Sequence, residues 1–216
     1  MRVVIAGGHG QIALRLERLL AARGDEGVGI IRNPAHTADL EAAGAQAVVL
    51  DLENSDVDTV AEVLKGADAA VFAAGAGPGS GSARKATVDH GAAALLADAA
   101  SQAGVRRHIQ IGSMGADNPE NPDVTEDFRV YLRAKRAAED DLKARDLDWT
   151  ILRPGALTDD PGTGRVLLAD KTGRGSVPRD DVAAVLVALL DAPATARRTL
   201  ELISGETAID EAISAL

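Results

Sequence analysis

The amino-acid sequence predicts an α/β fold, a doubly wound parallel sheet with helices on both faces. Short, continuously apolar segments alternate with helix-length amphipathic segments along all 216 residues. Strands that are apolar throughout are typical of parallel sheets covered on both faces, and helix-length connections allow right-handed crossovers between parallel strands. Because 46% of the residues are hydrophobic, the chain can bury one sizeable core, and we expect a single domain.

The predicted elements alternate from the first residues onward. Each strand is a short apolar run, and each helix has helical length and an amphipathic pattern. The first helix places Ile12, Leu16, Leu19 and Leu20 on one face, which we expect to pack on the sheet. The strands are predicted at Val3–Ala6, Gly27–Ile31, Ala47–Leu50, Ala69–Ala73, His108–Ile111, Trp149–Leu152 and Leu200–Ile203. The helices are predicted at Gln11–Arg23, Thr37–Ala43, Ser55–Leu64, Ala86–Ala103, Phe128–Arg145, Arg179–Leu190 and Ile209–Ser214.

Three segments, Gly75–Ser82, Ala116–Thr125 and Asp159–Gly164, fit neither pattern and are rich in glycine or proline turn markers. Each follows a strand at its carboxyl end, where open α/β sheets bind ligands. We expect these loops to form a lid over a pocket, with Ala116–Thr125 and Asp159–Arg174 as its main parts. Simple connecting loops are the alternative.

The composition narrows the class of protein. The absence of cysteine excludes disulfides and thiolate sites and agrees with a reducing, cytoplasmic setting. No apolar run has transmembrane length and the chain begins at once on a strand, so neither a signal peptide nor a membrane partner is expected. A net charge of −10 with 2% aromatic residues argues against nucleic-acid binding. The four histidines show no metal-ligand spacing, so no metal is expected.

The first predicted strand enters the first helix through a glycine turn, Gly7-x-x-Gly10-x-x-Ala13. Such a turn aims backbone N–H groups and the positive end of the helix dipole at one point, which favours an anion, most often a dinucleotide pyrophosphate. Gly7 permits the tight turn, Gly10 allows the phosphates to approach, and Ala13 allows close packing. A plain structural turn is the alternative. The residues expected to contact the cofactor here are Gly7, Gly8, His9, Gly10, Gln11 and Ile12.

The ends of the next strands favour NADP, as NADPH, over NAD. The second strand is followed by Arg32 and Asn33, with no carboxylate to hold a ribose 2′-hydroxyl, and an arginine can pair bidentately with a 2′-phosphate. Asp51 and Leu52 follow the third strand, where the carboxylate can accept a hydrogen bond from the adenine amino group. Small residues that allow close approach of the cofactor end the fourth strand, namely Ala73, Ala74 and Gly75.

A candidate catalytic group lies on the fifth predicted helix. Tyr131 and Lys135 are four residues apart and share one helix face. An ammonium beside a phenol stabilises the phenolate, which makes the phenol a usable proton donor or acceptor, and Lys135 can also bind the cofactor ribose. Ser113, just after a strand, can polarise a substrate carbonyl. The alternative is a packing tyrosine with a lysine that reaches past it to solvent.

The glycine turn, Ser113 and the Tyr131/Lys135 pair, in this order, resemble the short-chain dehydrogenase/reductase superfamily over nearly the whole chain. Arg153-Pro154-Gly155 and residues 179–183 make the chain most similar to atypical, NmrA-like members, which are Rossmann-like NAD(P)-binding proteins. The resemblance implies that Arg153, Pro154 and Gly155 border the nicotinamide and that Ser113, Tyr131 and Lys135 occupy active-site positions. Asp89 stands where the family has an asparagine, so the donor of the amide is lost.

These observations lead us to expect an NADP-dependent oxidoreductase that acts on a carbonyl or hydroxyl group of a small organic substrate. Tyr131 would be the general acid/base, Lys135 its stabiliser and Ser113 the group that orients the carbonyl. Residues 113–130 and 153–216 would form the small substrate-binding part of the domain. A non-catalytic NADP-binding redox sensor, or an epimerase or dehydratase with transient cofactor reduction, remain open. We expect a monomer or a homodimer.

Overall fold

The structure, a computed structural model, describes residues 1–75 and 88–216, and the backbone alone of residues 85–87. The strands are β1 (Arg2–Ala6), β2 (Glu26–Ile31), β3 (Gln46–Val49), β4 (Ala69–Phe72), β5 (Arg107–Ile111), β6 (Asp148–Pro154), β7 (Ala156–Thr158), β8 (Arg165–Ala169), β9 (Ser176–Pro178), β10 (Arg198–Ser204) and β11 (Thr207–Ala208). The helices are α1 (Gln11–Arg23), α2 (Thr37–Ala42), α3 (Val57–Leu64), α4 (Ala93–Ala103), α5 (Glu126–Lys143), α6 (Arg179–Leu190) and α7 (Ile209–Ser214). A π-helical segment, Lys85–Ala92, leads into α4.

The main sheet has the strand order β11-β8-β10-β6-β5-β4-β1-β2-β3. From β10 to β3 all neighbouring strands pair in parallel, as predicted for a doubly wound sheet. The edge differs from the expectation, because β8 runs antiparallel to both β10 and β11. The chain reverses its direction of winding between β1 and β4, which leaves a crevice at their carboxyl ends. This Rossmann-like arrangement fixes where a ligand can lie.

The core lies on both faces of the sheet. On β1, Val3 and Ile5 pack with residues of α1 and α6, whereas Val4 and Ala6 pack with residues of α3 and α4. All four side chains are fully buried. Each buried valine or isoleucine contributes about 1.5–3 kcal/mol through the hydrophobic effect. Two-sided burial therefore explains why this strand is apolar at consecutive positions.

Helix α1 is rotated from its expected orientation. Leu16 and Leu20 are buried as predicted, but Leu19 is 39% exposed and Glu17 is fully buried in its place. The reason lies in β2, where Gly29 leaves room for a side chain, since a Cβ at Gly29 would lie 2.5 Å from Oε1 of Glu17. The predicted apolar face was therefore wrong at Leu19.

Two helices begin where side chains cap them. The predicted Ser55–Leu64 helix begins at Val57, because the carboxylate of Asp56 accepts a hydrogen bond from the Thr59 amide (2.8 Å). Helix α5 begins two residues before the predicted Phe128, with Thr125 as its cap. None of the helices in the described part of the chain is long and apolar enough to cross a membrane.

The predicted lid is only partly present. Ala116–Thr125 is a loop of successive turns, as expected. The prediction for Asp159–Arg174 is wrong, because this segment contains β8, which pairs with β10 and has Val166 fully buried. Its first part is also fixed, since the carboxylate of Asp181 accepts hydrogen bonds from the backbone of Thr163 and Gly164. Apart from Gly75, the predicted loop Gly75–Ser82 lies outside the described residues.

Candidate functional site

Two cavities lie side by side at the carboxyl ends of the parallel strands. The first has a volume of about 310 Å³ and lies over the ends of β1, β2 and β3. The second has a volume of about 1060 Å³ and lies over the ends of β5 and β6. Three small residues at the end of β4 line both cavities, namely Ala73, Ala74 and Gly75. Two compartments are therefore joined at the crevice that the strand order creates.

The glycine turn closes onto the end of β4. Gly7 has φ +82°, and a Cβ at this position would lie 2.6 Å from Cα of Ala74, so only glycine fits. The amides of Gly7 and Gly8 both donate to the carbonyl of Ile30 (3.2 and 3.0 Å), and the Gly10 amide donates to the carbonyl of Gly7 (2.8 Å). The expectation that the loop amides converge on a phosphate is therefore wrong for these three glycines.

The backbone amides that can bind an anion follow the glycine turn, in the first turn of α1. The amides of Gln11 and Ile12 have no helical acceptor because they begin the helix. Gly10, as the residue before α1, supplies no capping side chain, and the first turn carries no acidic residue. A phosphate can therefore take the place of the cap and interact with the positive helix end. Gly8 lies outside the described cavity lining, packed against Gly29.

The first cavity gathers most of the residues predicted to hold the adenosine part of a cofactor. The side chain of Arg32 donates to Oε2 of Glu53 (2.9 Å), a residue that the sequence analysis missed. The Asp51 carboxylate caps its own turn, accepting from the Glu53 amide (3.1 Å) and from the Asn54 side chain (2.7 Å). Predicted residues in this lining are Gly7, His9, Gly10, Arg32, Asn33, Asp51 and Leu52.

His36 is a further residue of the first cavity that the sequence did not reveal. Its ring stacks on that of His9, with centroids 3.6 Å apart, and Nε2 of His9 lies 2.7 Å from a carboxylate oxygen of Asp39. The stack joins the glycine turn to the segment after β2. Both rings belong to the lining of the first cavity.

The second cavity brings together Asp89, Ser113, Tyr131 and Lys135. Lys135 is 4% exposed, and its ammonium lies 3.2 Å from Oδ1 of Asp89 and donates to the carbonyl of Ile111 (3.3 Å). The same ammonium is 5.7 Å from the ring centroid of Tyr131. An ammonium has three donors, and the Ile111 carbonyl and the Asp89 carboxylate account for two of them within the described part of the chain. Asp89 thus places a carboxylate where the resembled family has an amide, and this carboxylate forms an ion pair with Lys135.

The wall around Tyr131 is mostly apolar. Phe128 lies one helical turn before Tyr131, and the centroids of the two rings are 5.5 Å apart. Their spacing of three residues along the helix could have been recognised in the sequence. Ser113 donates its hydroxyl hydrogen to the carbonyl of Met114 (3.2 Å). The predicted Ile12, Pro154 and Gly155 also line this cavity. Gln11 lies outside both described linings, and its side chain accepts from Arg15 (2.8 Å).

Arg153 does not border the cavity, contrary to what the resemblance implied. Its side chain is buried and forms two hydrogen bonds with the carboxylate of Glu139 on α5, one of 3.0 Å and one of 2.5 Å. Both side chains pack under Gly112, where a Cβ would lie 2.5 Å from Oε1 of Glu139. The pair therefore packs against the backbone that leads to Ser113. In this position the Arg153 side chain does not reach the cavity in which a cofactor would lie.

Glu17 is a buried acid directly behind the glycine turn. A Cβ at Gly8 would lie 3.0 Å from Oε1 of Glu17, and within the described part of the chain neither carboxylate oxygen has a hydrogen-bond partner. Burial raises the pKa of Glu17 to about 8, so the side chain is mostly protonated at neutral pH. A neutral carboxyl next to the glycine turn would not repel an anion there.

The pH dependence of stability tests this protonation. Between about pH 4.5 and about pH 8 the folded protein keeps a proton that the unfolded chain releases, so the free energy of unfolding falls as pH rises, by at most about 1.4 kcal/mol per pH unit. We expect the fall to be shallower in Glu17→Gln, measured by urea denaturation between about pH 7 and about pH 8. Part of the fall remains, because the hydrogen bond to Asp25 raises the pKa of the Met1 ammonium. His108, whose pKa burial lowers to about 3, is neutral in the folded protein and mostly neutral in the unfolded chain there.

The control is Glu41→Gln, which removes an exposed carboxylate on α2 and should leave the slope unchanged. Equal slopes for the natural protein and Glu17→Gln would contradict the assignment.

Comparison with known proteins identifies relatives along the entire chain. A family model described as NAD(P)H-binding matches residues 7–193. The Bacillus subtilis protein named uncharacterized sugar epimerase YhfK is 40% identical over 217 residues, which cover 100% of both chains. A solved structure from Bacillus halodurans, provisionally named an NAD-dependent epimerase/dehydratase, shares 34% identity with a TM-score of 0.93 over 100% of both chains. The structure of the oxidoreductase ylbE from Lactococcus lactis shares 27% identity with a TM-score of 0.88, covering 100% of this chain and 96% of that one.

The family match confirms the resemblance drawn from the glycine turn and the Tyr131/Lys135 pair. It also agrees with the crevice between β1 and β4, because proteins of this fold bind dinucleotides where the direction of winding reverses. The chain belongs to the NAD(P)H-binding family, as an atypical, NmrA-like member of the short-chain dehydrogenase/reductase type.

Proposed function

We propose that this protein is an NADP-dependent oxidoreductase that acts on a carbonyl or hydroxyl group of a small organic substrate. The observation that carries the proposal is the joining of the two cavities at Ala73–Gly75. A dinucleotide laid along this line has its adenosine part near Arg32 and its nicotinamide near Tyr131. The proposal treats the chain as one domain in which residues 113–130 and 153–216 form the substrate-binding part.

The residues present fit such a cofactor. The start of α1 offers uncapped amides for the pyrophosphate, and no side chain intrudes at Gly10, where a Cβ would lie 3.1 Å from the carbonyl oxygen of Gly7. The third donor of Lys135, for which the described residues offer no acceptor, would bind a ribose hydroxyl. When bound, the nicotinamide supplies or accepts the hydride.

The side chains of this chain handle the proton and the substrate orientation. The Tyr131 hydroxyl donates its proton to the developing alkoxide in reduction, and its phenolate form accepts the proton of the substrate hydroxyl in oxidation. The ammonium of Lys135, held by Asp89 and the carbonyl of Ile111, provides a fixed positive charge near that hydroxyl. The Ser113 hydroxyl, on turning away from the Met114 carbonyl, donates a hydrogen bond to the substrate oxygen and positions it.

The names of the relatives support two reaction types, epimerisation or dehydration and net oxidoreduction. The apolar wall of Met114, Phe128 and Leu157 favours a small, mostly apolar substrate over a polar sugar nucleotide. We therefore place net oxidoreduction first. An epimerase would turn over its substrate without net consumption of the cofactor, and a redox sensor would bind the cofactor without turnover.

The deciding experiment titrates NADPH and NADH into the purified, nucleotide-free protein by calorimetry. A panel of aldehydes, ketones and quinones is then followed at the nicotinamide absorbance band. We expect NADPH to bind and at least one carbonyl or quinone to be reduced. Absence of affinity for both nucleotides would overturn the proposal, and binding without any turnover would favour the sensor.

Arg32 is expected to select the cofactor. In Arg32→Gln we expect the affinity for NADPH to fall about ten-fold, because a charge-assisted contact to the 2′-phosphate is lost, while the affinity for NADH stays within about two-fold. The matched control is Arg18→Gln, which removes the same charge from an exposed position on α1. Equal losses for NADPH and NADH, or a natural preference for NADH, would contradict the role of Arg32.

A further inference from the structure

Arg174, in the lining of the second cavity, has no acidic partner among the described residues. It lines this cavity, is exposed, and makes no hydrogen bond or ion pair with the part of the chain that the structure describes. The other arginine described in the lining, Arg179, is paired with Asp159, its Nη1 lying 2.8 Å from Oδ1. None of the donors of the Arg174 guanidinium is therefore used by the residues that the structure describes.

The backbone on both sides of Arg174 is fixed. The carbonyl of Gly175 accepts a hydrogen bond from the amide of Ala156 (2.9 Å), and Gly155 packs so closely against it that a Cβ there would overlap the carbonyl of Gly175. On the other side, the amide of Thr172 donates to Oε2 of Glu201 (2.9 Å). A ligand therefore needs to order only the side chain of Arg174, which lowers the entropic cost of binding.

The rest of the lining near this arginine suits an apolar molecule. Phe128 and Leu157 are 42% and 37% exposed, and both line the cavity. Two acidic residues, Asp89 and Asp127, belong to the described lining, and each already has an interaction of its own. A ligand that matches Arg174, Phe128 and Leu157 has an apolar body and one anionic group. A planar carboxylate matches the guanidinium best because two parallel hydrogen bonds can form.

We propose that Arg174 binds a carboxylate of the substrate, so that the substrate class is an apolar carboxylic acid whose carbonyl group reaches Tyr131. The second half of this statement rests on the proposed function, whereas the carboxylate site stands whatever reaction the protein catalyses. Arg174 is in this view a specificity-determining residue and takes no part in proton transfer.

Binding is tested by calorimetry with cinnamate and its uncharged analogue cinnamamide, with and without saturating NADP⁺. We expect cinnamate to bind about ten-fold more tightly than cinnamamide, equivalent to about 1.4 kcal/mol. That difference should vanish in Arg174→Gln, persist in part in Arg174→Lys, and weaken with added salt. Arg18→Gln, with the same loss of charge far from the cavity, should leave it unchanged. Equal binding of the acid and the amide to the natural protein would overturn the site.

Turnover separates this inference from the proposed function. The kcat/KM for para-carboxybenzaldehyde and for its methyl ester is compared in the natural protein and in Arg174→Gln. We expect the acid to lose about ten-fold in the variant, through KM, and the ester to be unaffected. Reduction of both aldehydes, equally in both proteins, would overturn the carboxylate site and leave the oxidoreductase standing. Reduction of neither, with cinnamate still bound through Arg174, would count against the proposed function alone.

Discussion

Replacing Tyr131 by phenylalanine is expected to lower kcat about 10²- to 10⁴-fold, the usual contribution of a positioned general acid/base. The ring is retained, so its packing against Phe128, with centroids 5.5 Å apart, and its distance to the ammonium of Lys135 should persist. The affinity for NADPH should therefore change by less than about two-fold. The measurement is steady-state turnover of the best substrate of the carbonyl and quinone panel, with cofactor affinity measured by calorimetry.

The matched control is Phe128→Leu, which alters the same wall without removing a proton donor. We expect this variant to change KM more than kcat, because an apolar contact serves the bound substrate and the transition state alike. Full turnover by Tyr131→Phe would show that Tyr131 is not the general acid/base, and Ser113 would be the next residue to test.

Loss of Arg153 is expected to be the most destabilising single change near the site. In Arg153→Met the carboxylate of Glu139, which is fully buried, loses its main partner. Leaving one member of a buried ion pair costs about 3–5 kcal/mol of unfolding free energy. The measurement is urea denaturation at neutral pH, with the midpoint and slope compared between the variant and the natural protein.

The double variant Arg153→Met/Glu139→Leu should recover most of this loss, since a buried pair replaced by apolar residues is often close to neutral. It also keeps the experiment informative if Arg153→Met alone does not fold. The control is Arg136→Met, which breaks the exposed pair with Asp140 on the same helix and should cost less than about 1 kcal/mol. Equal losses for Arg153→Met and Arg136→Met would contradict the importance of the buried pair.

Sequence patterns predicted those site residues whose role depends on residues close to them in the chain. The glycine turn follows β1 directly and its residues are close together in the chain, so Gly7 and Gly10 could be identified from sequence alone. Tyr131 and Lys135 share a helix face because four residues make about one helical turn. The edge of the sheet was missed because β8 pairs antiparallel with β10, about 30 residues further along the chain, and because β11 has only two residues.

The sequence by itself determined the α/β class, the order of most strands and helices, and the residue types available at the strand ends. Only the tertiary structure decided how the charged groups pair. Glu17 is buried because Gly29 of a neighbouring strand leaves room for it, Arg153 lies against Glu139, and Arg174 alone faces the cavity without a carboxylate among the described residues. The physical reason is that strand and helix patterns depend on neighbours along the chain. The burial and partner of a charge depend instead on which distant elements the fold brings within a few ångströms.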